Sequence, residues 1–233
     1  MLGVALAAVS TATYAAQTYD DYDTFYSVQA GALFGEPVRH ESGILYSRPG
    51  EEGAYAEFHA TIAGTATRIQ VASNHITING RAYKLARAIT PPNERVGNIY
   101  PANSNVFIAT SEGNRPPLLC VEGHGGGSGE ADRYQQIFLL VGPLSRRPTF
   151  LHLPALLSSC RAIVATKDGK FAFPKNSYLF DEAQGIRTGL LVSYITFERG
   201  HFTATNNEIR LRFVSPENPF KFLREDELPQ RAP

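Results

Sequence analysis

Apolar residues recur at every second position in short runs of this chain, and turn residues separate the runs. Ile209, Leu211 and Phe213 alternate in this way with Arg210 and Arg212. A period of two is typical of a β-strand that buries one face, and no segment of the sequence keeps a long 3.6-residue helical period. About ten such runs predict an all-β fold, an antiparallel β-sandwich or barrel with at most short helices.

The segment 54–85 carries the strongest turn signal. Ile76 lies in an alternating run that is followed by Asn79-Gly80, a dipeptide that favours a two-residue type I′ hairpin turn. The register that follows from this turn places Ile76 opposite Tyr83. We therefore predict a three-stranded antiparallel meander in this segment.

Later apolar runs predict further strands. Residues 138–141 are apolar on both faces, which indicates a central strand that is covered on both sides. Residues 167–170 favour a hairpin turn, and the segments 153–159 and 220–226 are candidates for short helices. The predicted strands span residues 105–110, 118–122, 134–141, 149–153, 159–166, 171–173, 189–197 and 208–214.

An aromatic and acidic segment, TYDDYDTFYS, begins at Thr18. Asp20, Asp21 and Asp23 carry carboxylates, which are calcium ligands. The segment lacks the glycine and the terminal glutamate of an EF-hand loop, however. We expect instead a polar arm that packs its aromatic side chains onto the domain.

Residues 1–16 are predicted to form a signal peptide. Residues 1–17 carry no charge, and positions 2–16 are small and apolar, as in the hydrophobic and cleavage regions of secretory signals. No Lys or Arg precedes this run, so a buried N-terminal segment is the alternative. We expect a single β domain at 17–223 and a mobile charged tail at 224–233. No later stretch is long and apolar enough for a membrane helix.

The chain has two cysteines, Cys120 and Cys160. In an exported protein a disulfide is favoured over two free thiols, because the compartment is oxidising. We predict a Cys120–Cys160 disulfide. In a cytosolic protein both residues would be small buried side chains instead.

Charge and composition exclude some classes of partner. The chain has 22 Lys plus Arg and 22 Asp plus Glu, and neither sign forms a long block. A nucleic-acid-binding protein usually carries a basic patch, so we predict no nucleic-acid partner. No cofactor or metal motif is complete, and none is predicted.

A glycine-rich loop between the two cysteines has the most distinctive local chemistry. Backbone N–H groups of such a loop can bind an anion, and a loop held near a disulfide can enter a cleft of a partner protein. Alternatively, the glycines serve only a tight β-connection. The predicted binding residues are His124, Gly125, Gly126, Gly127, Ser128, Glu130 and Asp132.

The same loop has two enzymatic interpretations. The run from His124 to Gly127 resembles the HGGG oxyanion-hole loop of the hormone-sensitive-lipase-like esterases. In this chain no serine has glycine two positions before and two after it, so the nucleophile elbow of those enzymes is missing. A hydrolase or metal-dependent enzyme centred on His124, Glu130 and Asp132, with Glu122 on the same strand face as His124, is the second interpretation.

These patterns together favour binding over catalysis. We predict an exported, periplasmic all-β protein, an inhibitor or immunity-type module that engages a protein partner in the cell envelope or periplasm through the glycine-rich loop. A secreted hydrolase and a structural component of the cell envelope are the alternatives.

Overall fold

A computed structural model describes residues 17–39, 45–46, 53–125 and 129–228. The predicted signal segment 1–16 and the end of the predicted tail, 229–233, lie outside the described residues. In chain order the strands and the helix are β1 (Thr18–Tyr19), α1 (Tyr22–Ser27), β2 (Leu45–Tyr46), β3 (Ala54–Ile62), β4 (Thr65–Ala72), β5 (His75–Ile78), β6 (Arg81–Lys84), β7 (Asn105–Ala109), β8 (Leu118–Gly123), β9 (Tyr134–Val141), β10 (Thr149–His152), β11 (Ala155–Leu156), β12 (Val164–Ala165), β13 (Phe171–Phe180), β14 (Arg187–Glu198), β15 (His201–Ser215) and β16 (Asn218–Arg224). Short 3-10 turns span Leu85–Arg87, Pro101–Asn103, Gly129–Arg133, Cys160–Ala162 and Glu225–Glu227.

The strands form three antiparallel sheets, which confirms the all-β prediction. The first sheet has the order β1-β16-β15-β14-β13-β12, the second has the order β10-β9-β8-β7, and the third has the order β2-β3-β4-β5-β6. Strand β11 adds to the second sheet by pairing with β9. Most neighbouring strands are also consecutive in sequence, so short turns between alternating runs account for most of the topology. Within the described residues, no helix has the length and apolar character needed to cross a membrane.

The second sheet is buried on both faces. One face packs against the third sheet, and Leu119, Val121 and Phe138 belong to that cluster. The other face, which includes Leu139, packs against the start of β13. All six residues of β8 are buried. This arrangement confirms that residues 138–141 belong to a central strand, because β9 lies between β8 and β10.

The Asn79-Gly80 turn forms as predicted. Both residues have positive φ, 48° and 84°, and Ile76 lies opposite Tyr83. The predicted number of three strands was wrong, because the segment contains the four strands β3 to β6. The missed turn is at Ala63-Gly64, where an alanine takes a φ of 48° that side-chain-bearing residues rarely adopt.

Three local predictions near the second half of the chain were wrong. The predicted strand 159–166 is interrupted by the 3-10 turn at 160–162, and only β12 remains of it. The two predicted short helices at 153–159 and 220–226 are the strands β11 and β16 instead. Strand β16 pairs with the preceding strand β15 and with the distant β1, so pairing within the sheet decides its conformation. Arg224, placed at the start of the predicted tail, is the last residue of β16.

The aromatic arm packs onto the first sheet, as expected, but it contains the helix α1. Asp21 caps this helix by accepting a hydrogen bond from the Thr24 backbone N–H at 2.6 Å. Phe25 and Tyr26 are fully buried in a cluster with Phe222 of β16.

Candidate functional site

The glycine-rich loop connects two neighbouring strands of the central sheet. Strand β8 ends at Gly123, which lies opposite Gln136 of β9. The described chain resumes at Gly129 in a 3-10 turn that leads directly into β9. Of the predicted binding residues, Gly126, Gly127 and Ser128 lie outside the described residues, and so does the side chain of Asp132. The described ends of the loop are therefore the parts that define the site.

The Cys120–Cys160 disulfide is present, as predicted, with the two Cα atoms 6.0 Å apart. Cys120 lies on β8, three residues before the strand ends at Gly123, and both cysteines are fully buried. The bond therefore joins the strand that leads into the loop to the 3-10 turn at 160–162.

Glu122 is a buried carboxyl group beside the disulfide. It accepts hydrogen bonds from the Cys160 backbone N–H at 2.6 Å and from the Asn105 side-chain amide at 3.3 Å. Burial raises its pKa to about 7, although the Cys160 N–H acts in the opposite direction. The prediction that Glu122 and His124 share a strand face was wrong, because β8 ends at Gly123 and His124 lines a different part of the surface.

The buried Glu122 carboxyl group predicts a pH-dependent difference in stability between wild type and Glu122→Gln. The ordinary pKa of a glutamate is 4.5, and that of Glu122 in the folded protein is about 7. Between these two pH values, Glu122 keeps a proton in the folded protein that it has released in the unfolded chain. Its stabilising contribution is therefore complete below pH 4.5 and is lost as the pH rises through about 7. The free energy of unfolding of wild type minus that of the variant is expected to fall by about 3 kcal/mol over this window. Urea unfolding of both proteins at several pH values measures it.

A second buried group makes the comparison with a variant necessary. Burial lowers the pKa of His152 to about 4, so its contribution is present above its ordinary pKa of 6.5 and is lost as the pH falls. The two contributions have opposite signs in the wild-type profile, but that of His152 cancels in the difference between wild type and Glu122→Gln. A difference that does not change with pH would contradict the assignment of a raised pKa to Glu122.

A cleft of about 480 Å³ lies beside the first end of the loop. His124 and Gly125 form part of its lining, together with Tyr100 and Tyr134. The tyrosine side chains are 54% and 48% exposed. The remaining lining residues are Ser73, Gly97, Asn98, Ile99, Ala131 and Gln136.

Close backbone contacts fix the walls of this cleft. The Tyr100 N–H donates to the His124 carbonyl at 3.0 Å, and the Ile99 N–H donates to the Ser73 carbonyl at 3.2 Å. A Cβ atom at Gly125 would lie 2.5 Å from the Asn98 carbonyl oxygen, so this approach requires glycine. The loop entrance and the segment 97–100 therefore form one connected wall.

Gln136 at the cleft is held in one orientation. Its Oε1 accepts a hydrogen bond from the Gly97 N–H at 2.8 Å and lies 2.8 Å from His152 Nε2. His152 is neutral at pH 7, because burial lowers its pKa to about 4. Since Oε1 can only accept, His152 carries its proton on Nε2 and donates it to Gln136. The amide Nε2 of Gln136 is thereby left on the other side of the side chain as a donor.

A second surface lies beside the other end of the loop, and we call it the loop face. It consists of Tyr134, Tyr178, Phe180, Ile186 and Arg187. Phe180 and Ile186 are 54% and 41% exposed. The Arg187 guanidinium lies over the Tyr178 ring, 4.3 Å from its centroid, and the Tyr178 and Phe180 rings are 6.3 Å apart. Burial raises the pKa of the Tyr134 hydroxyl, and the neighbouring Tyr178 acts in the same direction.

Charged residues attach the loop face to the loop itself. Glu130 pairs with Arg187 and, at 2.9 Å, with Arg133. Arg133 also donates a hydrogen bond to the Tyr178 hydroxyl at 2.9 Å. The Glu130 carboxylate is thus held by two guanidinium groups. Among the described residues, no three His, Cys, Asp or Glu side chains are grouped as a metal site would need.

Sequence reasoning located the loop but missed the residues that surround it. Tyr100 and Gln136 lie 36 positions apart in the chain. Each resembles an ordinary loop or strand residue by itself, and only the pairing of β8 with β9 brings Gln136 to the cleft.

In comparisons with protein-family models, with curated proteins and with solved structures, nothing matches this chain.

Proposed function

We propose that this protein is an exported, periplasmic binding protein that engages a partner protein through its glycine-rich loop and the adjoining loop face. In this role it acts as an inhibitor or immunity-type module. The observation that carries the proposal is the grouping of exposed Tyr134, Phe180 and Ile186 around Arg187, directly beside the loop.

The residue types of the loop face support a protein partner. Tyrosine and arginine are enriched among the residues that contribute most to protein–protein binding. Phe180 and Ile186 expose apolar surface, and such surface is favourable to cover when it is contiguous. Because these groups lie on a rigid β scaffold, little conformational entropy is lost when a partner binds them.

The disulfide supports export. Such bonds persist in oxidising compartments and are rare in the cytosol, and both Cys120 and Cys160 are fully buried. The uncharged segment 1–16 agrees with the same proposal at the level of sequence.

Affinity capture with the oxidised protein from a cell-envelope extract tests this function. The captured protein is then titrated against wild type and against the double variant Phe180→Ala, Arg187→Ala. We expect the double variant to bind about 100-fold more weakly, since loss of two central interface side chains removes several kcal/mol. Isothermal titration calorimetry measures the two dissociation constants.

Val214→Ala is the matched control, because Val214 is also an exposed apolar residue but lies outside the loop face. It should bind as wild type does. A double variant that stays folded and binds within about threefold of wild type would refute the loop face as the docking surface.

A further inference from the structure

We propose that the cleft beside His124 binds one or two sugar rings of an uncharged oligosaccharide. This site is distinct from the protein-docking surface of the loop face, although Tyr134 borders both. The inference does not depend on the protein partner. The cleft volume of about 480 Å³ is in the range of small-ligand sites.

The described lining of the cleft consists of aliphatic, aromatic and uncharged polar residues together with His124. None of the described residues that line it is Asp, Glu, Lys or Arg. A charged ligand would lose hydration on entering the cleft without gaining an ionic partner. An uncharged ligand avoids this cost, so the lining selects against acidic sugars, phosphates and charged peptides.

Two aromatic residues contribute apolar surface to the lining of the cleft. Tyr100 and Tyr134 both line it, and about half of each side chain is exposed to solvent. The C–H groups on one face of a pyranose ring are apolar, and the face of an aromatic ring is a matching flat surface. A purely apolar ligand would remove water from the polar lining residues Ser73, Asn98 and Gln136 without replacing its hydrogen bonds.

The polar lining residues suit hydroxyl groups. A sugar hydroxyl both donates and accepts hydrogen bonds, and the side chains of Ser73 and Asn98 do the same. Gln136 contributes a donor whose direction is already set, because its Oε1 is held by the Gly97 N–H and by His152. A saccharide can therefore bond to several groups without requiring a change in protonation.

The walls of the cleft are preformed. The contact between Tyr100 and His124 and the close approach of Gly125 to Asn98 hold the two sides together. A ligand that contacts these two walls meets backbone that hydrogen bonds and close packing already hold in place, which keeps the entropic cost of binding low. The walls are built from backbone hydrogen bonds, so substitution of a tyrosine side chain should leave them in place.

A titration followed by two-dimensional ¹H–¹⁵N NMR tests the proposal. The probes are cellotetraose, maltotetraose and chitotetraose, with tetragalacturonate as the charged counterpart. We expect at least one neutral probe to bind with a dissociation constant on the order of 1 mM or tighter and to shift the amide signals of residues 97–100 and 134–136. Tetragalacturonate should leave these signals unchanged.

Variants of Tyr100 identify the contribution of its ring. Tyr100→Ala should weaken binding of the neutral probe about tenfold, and Tyr100→Phe should keep it within about twofold, because the ring face rather than the hydroxyl carries the contact. Phe180→Ala should bind the saccharide as wild type does. This variant separates the cleft from the loop face, because loss of the Phe180 side chain is expected to weaken binding of the protein partner.

Two results would overturn the proposal. One is the absence of shifts at the cleft with all three neutral probes at about 10 mM, while the protein spectrum remains that of the folded state. The other is equal binding of tetragalacturonate, which would show that charge is not selected. Neither result bears on the protein-docking test, so the two proposals can fail separately.

Discussion

Replacement of both cysteines, Cys120→Ala and Cys160→Ala, is expected to lower the free energy of unfolding by about 4 kcal/mol. The disulfide closes a loop with a sequence separation of 40 residues, and opening that loop gives the unfolded chain more conformational entropy. Urea unfolding followed by circular dichroism measures the difference.

Wild type in the presence of a reductant provides the control for this prediction. It should lose a similar amount of stability, because the effect arises from the covalent bond and not from the alanines. If the double variant unfolds at the same urea concentration as oxidised wild type, the disulfide does not stabilise this fold as described.

The substitution Phe222→Ala is expected to cost about 3–5 kcal/mol, the usual range for a buried phenylalanine. Phe222 is fully buried, and its ring lies 4.5 Å from that of Tyr22, 5.6 Å from that of Phe25 and 5.7 Å from that of Tyr19. These contacts attach β1 and α1 to the first sheet. Loss of the ring leaves a cavity where the arm meets β16, and the free energy of unfolding measured in urea reports it.

Phe220→Ala is the matched control for Phe222→Ala. Phe220 lies two residues away on the same strand but is 46% exposed. We expect it to change the stability by less than about 1 kcal/mol. Equal effects of the two substitutions would contradict the packing of the arm onto β16.

Several elements were predictable because local signals determine them. The strand Tyr134–Val141 was predicted with the observed bounds, since its apolar run is bounded on both sides by polar residues and turns. Asn79-Gly80 set the hairpin register, because both residues tolerate the positive φ that the turn requires.

Other elements depend on partners that are distant in sequence. Residues 220–226 resembled a short helix, but β16 forms because Phe222 faces Phe213 on one side and Tyr19 on the other. Tyr19 is about 200 residues away in the chain, and no local pattern indicates that pairing. The predicted disulfide was correct because only one pairing of two cysteines exists.

The candidate site was predictable in the same partial way. The glycine-rich loop can be recognised from its run of glycines in the sequence. The cleft beside it cannot, because it depends on the hydrogen bond from the Tyr100 N–H to the His124 carbonyl, which joins two separate loops. Glu130, one of the predicted binding residues, pairs with Arg187, which lies 57 residues later in the chain and is brought close by the sheet.

Amide hydrogen exchange of the captured complex tests the central claim most directly. Exchange is measured by mass spectrometry, peptide by peptide, for the protein alone and with its partner bound. We predict slower exchange at 124–134 and at 178–187 in the complex, because these segments carry the glycine-rich loop and the loop face. The segment 211–223 should be unchanged. Protection confined to segments outside the loop and the loop face would contradict the account.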